Sequence, residues 1–265
     1  KYKMIKNNEL VVVGVSGGKD SLVLLSILKK MSETHNFRII AVTIDEGIPG
    51  YRDEALEIVK DFCSKLDVEF RTYSYKKLYD VTLSESLELR DKDKTTSCSI
   101  CGIFRRRALD HAAEELGANV IATGHNLDDS LQTFLINTLS GDSNKIGWMS
   151  PGSDSKDIRK IKPLAEIYES EIVFYAFTNN LPFQSEPCPH MNEGIRTEIR
   201  EFLNSIEDQH SGIKNNMYRS IIKISEVMKD ASFKEKRICT NCGNQCTGKI
   251  CAVCNMITDL KKERS

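Results

Sequence analysis

Hydrophobic and polar positions follow two different periods along the first half of the chain. Continuous apolar, β-branched runs that end at Gly, Ser or charged residues predict buried parallel strands. Apolar residues spaced three or four positions apart predict helices. The predicted strands are LVVVGV (10–15), FRIIAVTI (37–44), VEFRTYSY (68–75) and NVIATG (119–124). The predicted helices cover 20–33, 52–66, 102–117 and 127–141.

Strands that alternate with helices predict a doubly wound α/β fold with an open parallel sheet, whose ligands bind beyond the carboxyl ends of the strands. Gly, Pro, Ser and charged residues break this rhythm from Trp148 to Pro163, so we expect a surface loop there. Amphipathic helices are predicted from Ile195 onward, and a cysteine-dense unit ends the chain. We therefore expect a core domain over 1–190, a helical extension over 191–237 and a metal-binding module over 238–258.

Composition and charge restrict the class of protein. The chain has 265 residues, of which 40% are hydrophobic and 28% charged, as is ordinary for a globular protein. None of its apolar runs is long enough to span a bilayer, and we expect no membrane partner. The formal net charge is only −1, so a nucleic-acid partner needs a local basic patch. The chain opens with KYKM rather than with a starting methionine, so we expect further residues upstream.

The segment SGGKDS (16–21) follows the first predicted strand and opens a helix. Its glycines and the helix N-terminus suit a phosphate, whose charge Lys19 can screen. A Walker A loop has Ser or Thr after its lysine, whereas Asp20 follows Lys19 here. A carboxylate repels phosphate unless Mg²⁺ lies between them, so the loop favours a metal-bound pyrophosphate. The alternative is a tight turn without a ligand, and in either case Asp20 or Ser21 can cap the helix.

The nine cysteines, in a chain with no visible secretory segment, favour thiols that bind metal over disulfides. Two C-x2-C knuckles near the end have the spacing of a tetrahedral zinc site. Their ligands are Cys239, Cys242, Cys251 and Cys254. Cys246 lies between the knuckles and is interpreted as a spare thiol, and Cys63 is expected to be a core residue.

A second set consists of Cys98 and Cys101, at the start of a predicted helix, and Cys188, between two prolines. A helix N-terminus and nearby guanidinium groups lower a thiol pKa, so we expect Cys98 and Cys101 to be readily deprotonated. By itself this C-x2-C pair is compatible with a metal site, a redox pair or a chance pairing.

SGGKDS and TGHNLDDSLQTFL, which begins at Thr123, resemble the two signatures of the N-type ATP pyrophosphatases, or PP-loop enzymes. The resemblance implies that ATP with Mg²⁺ is split between its α and β phosphates and that AMP passes to a carbonyl oxygen. It implies catalytic roles for Asp20 and Asp129. It implies an ATP site made of Gly14, Ser16, Gly17, Gly18, Lys19, Asp20, Ser21, Ile44, Asp45, Arg105, Gly124 and Asp129.

SCSICGIFRRRAL, GHNLDD, IKPL and CPH, in this order, resemble the archaeal and eukaryotic tRNA 2-thiolation enzymes over nearly the whole chain. The resemblance implies that Cys98, Cys101 and Cys188 are catalytic and hold a [4Fe–4S] cluster. Three thiolates would leave one iron open for an exogenous sulfide. Persulfide chemistry at the same cysteines is the alternative. The family also carries an N-terminal zinc module, which we expect to be missing from this chain.

The same resemblance implies the substrate and the partners. DEGI-x-GYRD, from Asp45, is closer to the branch that thiolates the wobble uridine than to the T-loop branch. Sulfide or a thiocarboxylated ubiquitin-like carrier would supply the sulfur to a cytoplasmic homodimer. By their charge, the candidate contacts to tRNA phosphates are Arg106, Arg107, Arg159, Lys160 and Lys162. An ordinary solvated charged face explains each of them equally well. A sulfur-free PP-loop ligase and a tRNA-binding scaffold with an inactive ATP site are the competing interpretations.

Overall fold

A parallel sheet of five strands forms the centre of the computed structural model, which describes residues 2–93, 95–152, 158–190, 194–228 and 237–262. The strands are β1 (Glu9–Gly14), β2 (Phe37–Asp45), β3 (Glu69–Ser74), β4 (Val120–Thr123) and β5 (Arg159–Ile161). Their order across the sheet is β3-β2-β1-β4-β5. The chain runs outward from β1 through β2 to β3 and then continues on the other side of β1. The switch point of this doubly wound α/β fold therefore lies between β1 and β4, and the predicted fold class is confirmed.

Helices cover the sheet and extend the chain beyond it. Those of the first part are α1 (Lys19–Ser32), α2 (Tyr51–Lys65), α3 (Tyr75–Tyr79), α4 (Leu83–Leu89), α5 (Ser97–Glu115), α6 (Leu127–Leu139) and α7 (Glu169–Thr178), with a 3-10 helix over Ser143–Trp148. The later elements are α8 (Arg196–Gln209), α9 (Ile213–Met228), β6 (Arg237–Ile238), β7 (Gln245–Cys246) and α10 (Ala252–Lys262). No helix in the described ranges has the length and apolar character needed to cross a membrane.

The central strand β1 is buried on both faces, which explains its unbroken apolar sequence. Val11 and Val13 join one core together with residues of α1, α2 and α7. Leu10 and Val12 face the opposite core, to which α5 contributes Phe104. Strands that are covered on both sides need apolar side chains at every position, so the continuous run is the pattern of a central parallel strand.

A third core joins the helical extension to the α/β part of the molecule. Leu127 and Leu131 of α6 pack with residues of α8 and α9. A buried ion pair supports this contact, since Nζ of Lys214 lies 2.5 Å from Oδ1 of Asp128. The other oxygen of Asp128 accepts a hydrogen bond from the backbone N–H of Glu169 at 2.8 Å. Asp128 therefore ties α9 to the start of α7.

Two local predictions are wrong. The stretch predicted as a loop contains β5, a three-residue strand in which only Ile161 is buried, so it lacks the apolar run that marks the other strands. Helix α1 begins at Lys19 after Gly18, and neither Asp20 nor Ser21 caps it. Residues 153–157 of the predicted loop, the predicted domain boundary at 190/191 and residues 229–236 of the predicted extension lie outside the described residues. The division into three domains stays a prediction.

Candidate ATP and thiol site

The loop between β1 and α1 is shaped to bring backbone close to a ligand. Gly17 has a φ of +90°, and a Cβ atom there would lie 2.8 Å from Cβ of Ala55, so only glycine fits. Oγ of Ser21 holds the loop closed by accepting from the N–H of Ser16 at 3.1 Å and donating to the carbonyl of Gly18 at 2.8 Å. Among the residues described, no side chain caps the first turn of α1. Its N–H groups can therefore receive a phosphate.

Two predicted carboxylates meet at the switch point through an asparagine. Oδ1 of Asp20 accepts a hydrogen bond from Nδ2 of Asn126 at 3.0 Å. Oδ1 of the same asparagine accepts from the backbone N–H of Asp129 at 2.9 Å. Burial raises the pKa of Asp129, and the nearby charges of Asp20 and Glu169 raise it further. A cation placed between these carboxylates would stabilise their charged forms, as a Mg²⁺ ion delivered with ATP would.

Lys19 points toward the same carboxylates. Its Nζ lies 2.7 Å from Oε1 of Glu169 and 3.1 Å from Oδ2 of Asp20. Burial opposes the charge of Lys19, but these two carboxylates outweigh that effect, so the pKa of Lys19 is raised and the side chain stays charged. Sequence reasoning missed Glu169, which lies 150 positions from Lys19 and carries no local motif.

The residues predicted to border the adenosine lie on the same edge of the sheet. Ile44 and Asp45 end β2, beside the end of β1 at Gly14. Ile44 is buried, and its carbonyl oxygen accepts a hydrogen bond from Arg52 at 2.6 Å. Oδ1 of Asp45 accepts from the N–H of Gly47 at 2.9 Å and so shapes the turn after the strand. The structure thus brings the predicted adenosine border next to the predicted phosphate loop.

The predicted catalytic cysteines occupy the start of α5 and a segment packed beside it. Cys98 lies in the first turn of α5 and Cys101 directly after it, and Thr96 caps the helix by accepting a hydrogen bond from the N–H of Ser99 at 3.3 Å. The segment that contains Cys188 reaches this turn, where Oγ of Ser97 donates to the carbonyl of His190 at 3.3 Å. All three thiols are free.

The burial of Cys101 contradicts one expectation from the sequence. Burial raises its pKa, with smaller contributions from Glu46 and Cys188, although Arg105 acts in the opposite direction. The expectation that this thiol is readily deprotonated is therefore wrong, because the Cys101 side chain packs against the core. The core position predicted for Cys63 is confirmed, and burial raises the pKa of its thiol to about 11.

The surroundings of Cys101 suit a thiolate that binds an iron–sulfur cluster. That Cys98, Cys101 and Cys188 together hold the cluster stays a prediction. A guanidinium N–H of Arg105 donates to Sγ of Cys101 at 3.2 Å, and the hydroxyl of Tyr75, which donates to the backbone carbonyl of Cys101 at 2.8 Å, lies 3.6 Å from the same sulfur. Hydrogen bonds to ligand sulfur are a usual feature of iron–sulfur sites.

Arg105, predicted to bind ATP, contacts both a cysteine and a buried glutamate. Besides Cys101, its guanidinium group meets Oε1 of Glu46 at 2.8 Å. Glu46 also faces Arg52, whose Nε lies 3.0 Å from Oε2. Neither Glu46 nor Arg52 was identified from the sequence, although both belong to the DEGI-x-GYRD stretch. The sequence signal that could have indicated them is a pair of opposite charges, with Glu46 just after a predicted buried strand and Arg52 at the start of the next predicted helix.

The four predicted zinc ligands come together at the end of the chain. The sulfur atoms of Cys239, Cys242, Cys251 and Cys254 all lie within 4.8 Å of one another. Backbone N–H groups donate to two of them, from Cys251 to Sγ of Cys239 at 3.2 Å and from Cys254 to Sγ of Cys251 at 3.4 Å. Cys246 lies outside this group and donates to the carbonyl of Gly248 at 3.0 Å. Four thiolates in this arrangement fit a structural zinc ion.

Comparisons with known proteins agree with this arrangement. Residues 1–207 match the ATP_bind_3 family, which is described as a PP-loop domain. The tRNA 2-thiolation protein NcsA of Haloferax volcanii is 33% identical over 97% of this chain and 84% of its own length. The cytoplasmic tRNA 2-thiolation protein 1 of Lodderomyces elongisporus is 34% identical over 100% of this chain and 79% of its own length. The chain belongs to the PP-loop family of tRNA 2-thiolation proteins.

A solved structure of this family has the same fold. It is described as the U34-tRNA thiolase NcsA from Methanococcus maripaludis with its [4Fe-4S] cluster. The two structures superpose with a TM-score of 0.82 at 30% identity, over 98% of this chain and 84% of the other. The family resemblance found in the sequence is therefore confirmed.

The five residues predicted to contact tRNA lie in different surroundings. Three of them are ion-paired within the chain: Arg107 with Glu114 at 3.3 Å, Arg159 with Glu9 at 2.6 Å and Lys160 with Asp110 at 2.7 Å. Lys162 instead follows β5 at the carboxyl edge of the sheet, where the charge of Asp129 partly offsets the effect of burial, which lowers the pKa of Lys162. Arg106 extends along α5 past Gly102. For this thiolation protein, the tRNA contacts stay a prediction.

Gly124→Ala is expected to reduce pyrophosphate release by about 10²-fold or more, the cost of a displacement near 1 Å at a reacting centre. A Cβ atom at position 124 would lie 2.9 Å from the carbonyl carbon of Asp20 and 3.0 Å from the N–H nitrogen of Ser21. These are backbone atoms, so the loop itself would have to move. Gly152→Ala is the control, because a Cβ atom there meets no described residue within 4 Å. Equal pyrophosphate release by the two variants, measured with ATP and tRNA, would contradict the prediction.

Proposed function

We propose that this member of the tRNA 2-thiolation family replaces the 2-oxygen of the wobble uridine with sulfur, at the expense of ATP. The observation that carries the proposal is that the segments bearing the three free thiols contact the carboxyl ends of the strands, where the phosphate loop lies. Arg105 of α5 pairs with Glu46 after β2, and Gln184, four positions before Cys188, donates to the carbonyl of Gly17 in the loop. The M. maripaludis thiolase with the same fold is described as acting on U34, which supports the wobble position. The DEGI-x-GYRD stretch supports the same choice.

In the proposed reaction, the loop after β1 binds ATP. Gly17 and Gly18 let the backbone approach the phosphates, and Asp20 and Asp129 hold the Mg²⁺ that accompanies ATP. Lys19, which pairs with Glu169 and Asp20 in the structure, can exchange a carboxylate for phosphate oxygen. The 2-carbonyl oxygen of uridine then attacks the α-phosphorus, and pyrophosphate leaves. The oxygen of the base is thereby turned into a good leaving group.

The second step exchanges oxygen for sulfur. A sulfide adds to C2 of the adenylated uridine, the bond from C2 to oxygen breaks, and AMP departs with that oxygen. Cys98, Cys101 and Cys188 would hold a [4Fe–4S] cluster, which supplies an iron without a protein ligand at which sulfide can be carried. The first turn of α5 favours negative charge at this position through its N–H groups. Persulfide transfer from the same cysteines is the alternative.

The uridine has to leave its base stack to reach both sites, which suits an anticodon loop better than a duplex. Arg106 and Lys162 are the proposed phosphate contacts nearest to the site, whereas Arg107, Arg159 and Lys160 are candidates that already pair with carboxylates of the chain. We propose sulfide or a thiocarboxylated ubiquitin-like carrier as the sulfur source and a homodimer as the assembly. The eukaryotic relatives are named cytoplasmic, and we propose the same location for this chain.

The proposal is tested by purifying the protein without oxygen and supplying ATP, Mg²⁺, sulfide and unmodified tRNA. We expect 2-thiouridine at the wobble position, one pyrophosphate released for each, and about four iron and four sulfide per chain beside zinc. Zinc without iron, even after reconstitution, together with thiolation would favour persulfide chemistry. Pyrophosphate release without any thiouridine would favour a sulfur-free ligase, and no pyrophosphate release at all would favour a binding scaffold.

A further inference from the structure

A buried carboxylate connects the ATP loop to the thiol-bearing helix. Glu46, in the turn after β2, is only 2% exposed. Its two oxygens face two different guanidinium groups, Oε2 that of Arg52 at 3.0 Å and Oε1 that of Arg105 at 2.8 Å. A buried carboxylate is costly unless opposite charges surround it, so this placement holds both arginines in fixed orientations.

Arg52 extends the connection to the ATP loop. It lies in the first turn of α2 and is 4% exposed. One nitrogen of its guanidinium group donates to the carbonyl of Ser16 in the loop at 2.7 Å. The other donates to the carbonyl of Ile44, at the predicted adenosine border, at 2.6 Å. The position of Arg52 therefore determines where two parts of the ATP site lie.

Arg105 extends the connection to the thiols. It lies one helical turn after Cys101, and its guanidinium group donates to Sγ of that cysteine at 3.2 Å. The Arg105 side chain is 47% exposed, so its own packing does not fix its direction. Its ion pair with the buried Glu46 fixes that direction. An unbroken series of polar contacts thus runs from Ser16 through Arg52, Glu46 and Arg105 to Cys101.

The segment with the third cysteine is tied to the same loop by separate contacts. The backbone N–H of Gln184 donates to the carbonyl of Gly17 at 3.0 Å. Nε2 of Gln184 donates to the carbonyl of Tyr51, the neighbour of Arg52, at 2.8 Å. Cys188 follows four positions later. Both cysteine-bearing segments therefore take their position from the ATP loop and the start of α2.

We propose that Glu46 is a positioning residue, which keeps the activated uridine within reach of the sulfur held at the cysteines. This inference rests on the proposed function. Without the Glu46 charge, Arg105 loses its anchor and the two guanidinium groups repel each other, so the thiol-bearing turn shifts relative to the ATP loop. Arg52 keeps its hydrogen bonds to the carbonyls of Ser16 and Ile44, so the ATP loop stays in place and adenylation continues, but sulfur transfer slows. Water then adds to C2 of the adenylated base, AMP leaves, and unmodified uridine is regenerated.

The test is Glu46→Gln in the reconstituted protein, with pyrophosphate and 2-thiouridine measured in the same reaction. We expect the amount of 2-thiouridine per pyrophosphate to fall by about tenfold to a hundredfold, because displacements near 1 Å have effects of that size. We also expect a changed absorption and paramagnetic spectrum of the reconstituted cluster, since Arg105 donates to a ligand sulfur. This second readout does not depend on activity.

Glu9→Gln is the matched control. Glu9 forms a largely buried pair with Arg159 at 2.6 Å, but at the amino ends of the strands, opposite the site. The same chemical change there should lower the stability of the protein. It should leave the amount of 2-thiouridine per pyrophosphate and the spectrum of the cluster unchanged. Glu46→Asp, which restores the charge on a shorter side chain, should recover part of the ratio.

Arg105→Gln covers the case in which Glu46→Gln does not fold, because it leaves the buried pair of Glu46 with Arg52 in place. We expect the same loss of 2-thiouridine per pyrophosphate. An unchanged ratio in a folded variant, beside a wild type that thiolates, would overturn this inference and leave the proposed function standing. A wild type that releases pyrophosphate but forms no 2-thiouridine would overturn the proposed function and this inference with it.

Discussion

Cys98→Ala is expected to abolish 2-thiouridine formation and cluster binding while ATP binding persists. Cys98 is exposed at the first turn of α5, so its replacement should change the free energy of unfolding by no more than about 0.5 kcal/mol. In the proposed site, removing one of three thiolates would leave a cluster with too few protein ligands to be retained. The measurement is iron and acid-labile sulfide per chain, together with nucleotide affinity and thiouridine content.

Cys246→Ser is the control for that experiment. Its thiol is partly buried, donates to the carbonyl of Gly248 at 3.0 Å and lies outside the zinc-ligand group, so iron, zinc and activity should remain at wild-type levels. Retention of thiolation by Cys98→Ala would show that the trio does not hold the sulfur. Loss of ATP binding in the same variant would instead indicate a folding defect.

Asp20→Asn is expected to reduce pyrophosphate release by about 10²–10³-fold, the usual effect of removing one electrostatic group from a reacting centre. The variant keeps the size of the side chain and its contact with Asn126 but loses the charge that faces Lys19 at 3.1 Å. Without that charge, the loop binds Mg²⁺ less well, and the metal cannot offset the negative charge of the phosphates. Iron content should be unchanged. Asp20→Asn is thus expected to lose pyrophosphate release and keep the cluster, whereas Cys98→Ala is expected to lose the cluster and keep ATP binding.

Glu33→Gln provides the comparison for Asp20→Asn, because it removes a carboxylate from the far end of α1. Glu33 pairs with Lys29 at 3.6 Å and is 59% exposed, so little effect on any step is expected. Pyrophosphate release by Asp20→Asn within threefold of wild type would show that Asp20 has no role in handling the metal-bound phosphates. The assay is pyrophosphate release under saturating ATP and tRNA.

Some of the site was predictable because it is encoded in consecutive residues. The apolar run of β1, the glycines after it and Asp20 in place of a hydroxyl residue are all local, and they indicate a phosphate loop without knowledge of the fold. The zinc ligands are local for the same reason, since each knuckle places two cysteines three positions apart. In these places the backbone geometry follows from neighbouring residues, so the sequence carries the information.

Other parts depend on segments that are distant in the chain. The strand β5 has three residues and one buried side chain, and it becomes recognisable only beside β4. Glu169 reaches Lys19 from 150 positions away. The raised pKa of Cys101 arises because α5 packs against the core, although a helix N-terminus with nearby arginines predicts the opposite.

The sequence by itself therefore determined the alternation of strands and helices, the phosphate loop, both cysteine sets and the family. Tertiary structure alone decided that Glu46 lies between Arg52 and Arg105 and that the segment before Cys188 is held by Gly17. The physical reason is that local patterns specify which elements form, whereas contacts between charged side chains depend on which strand ends meet. In a parallel sheet those ends come from every part of the chain, so only the packed fold shows which groups face each other.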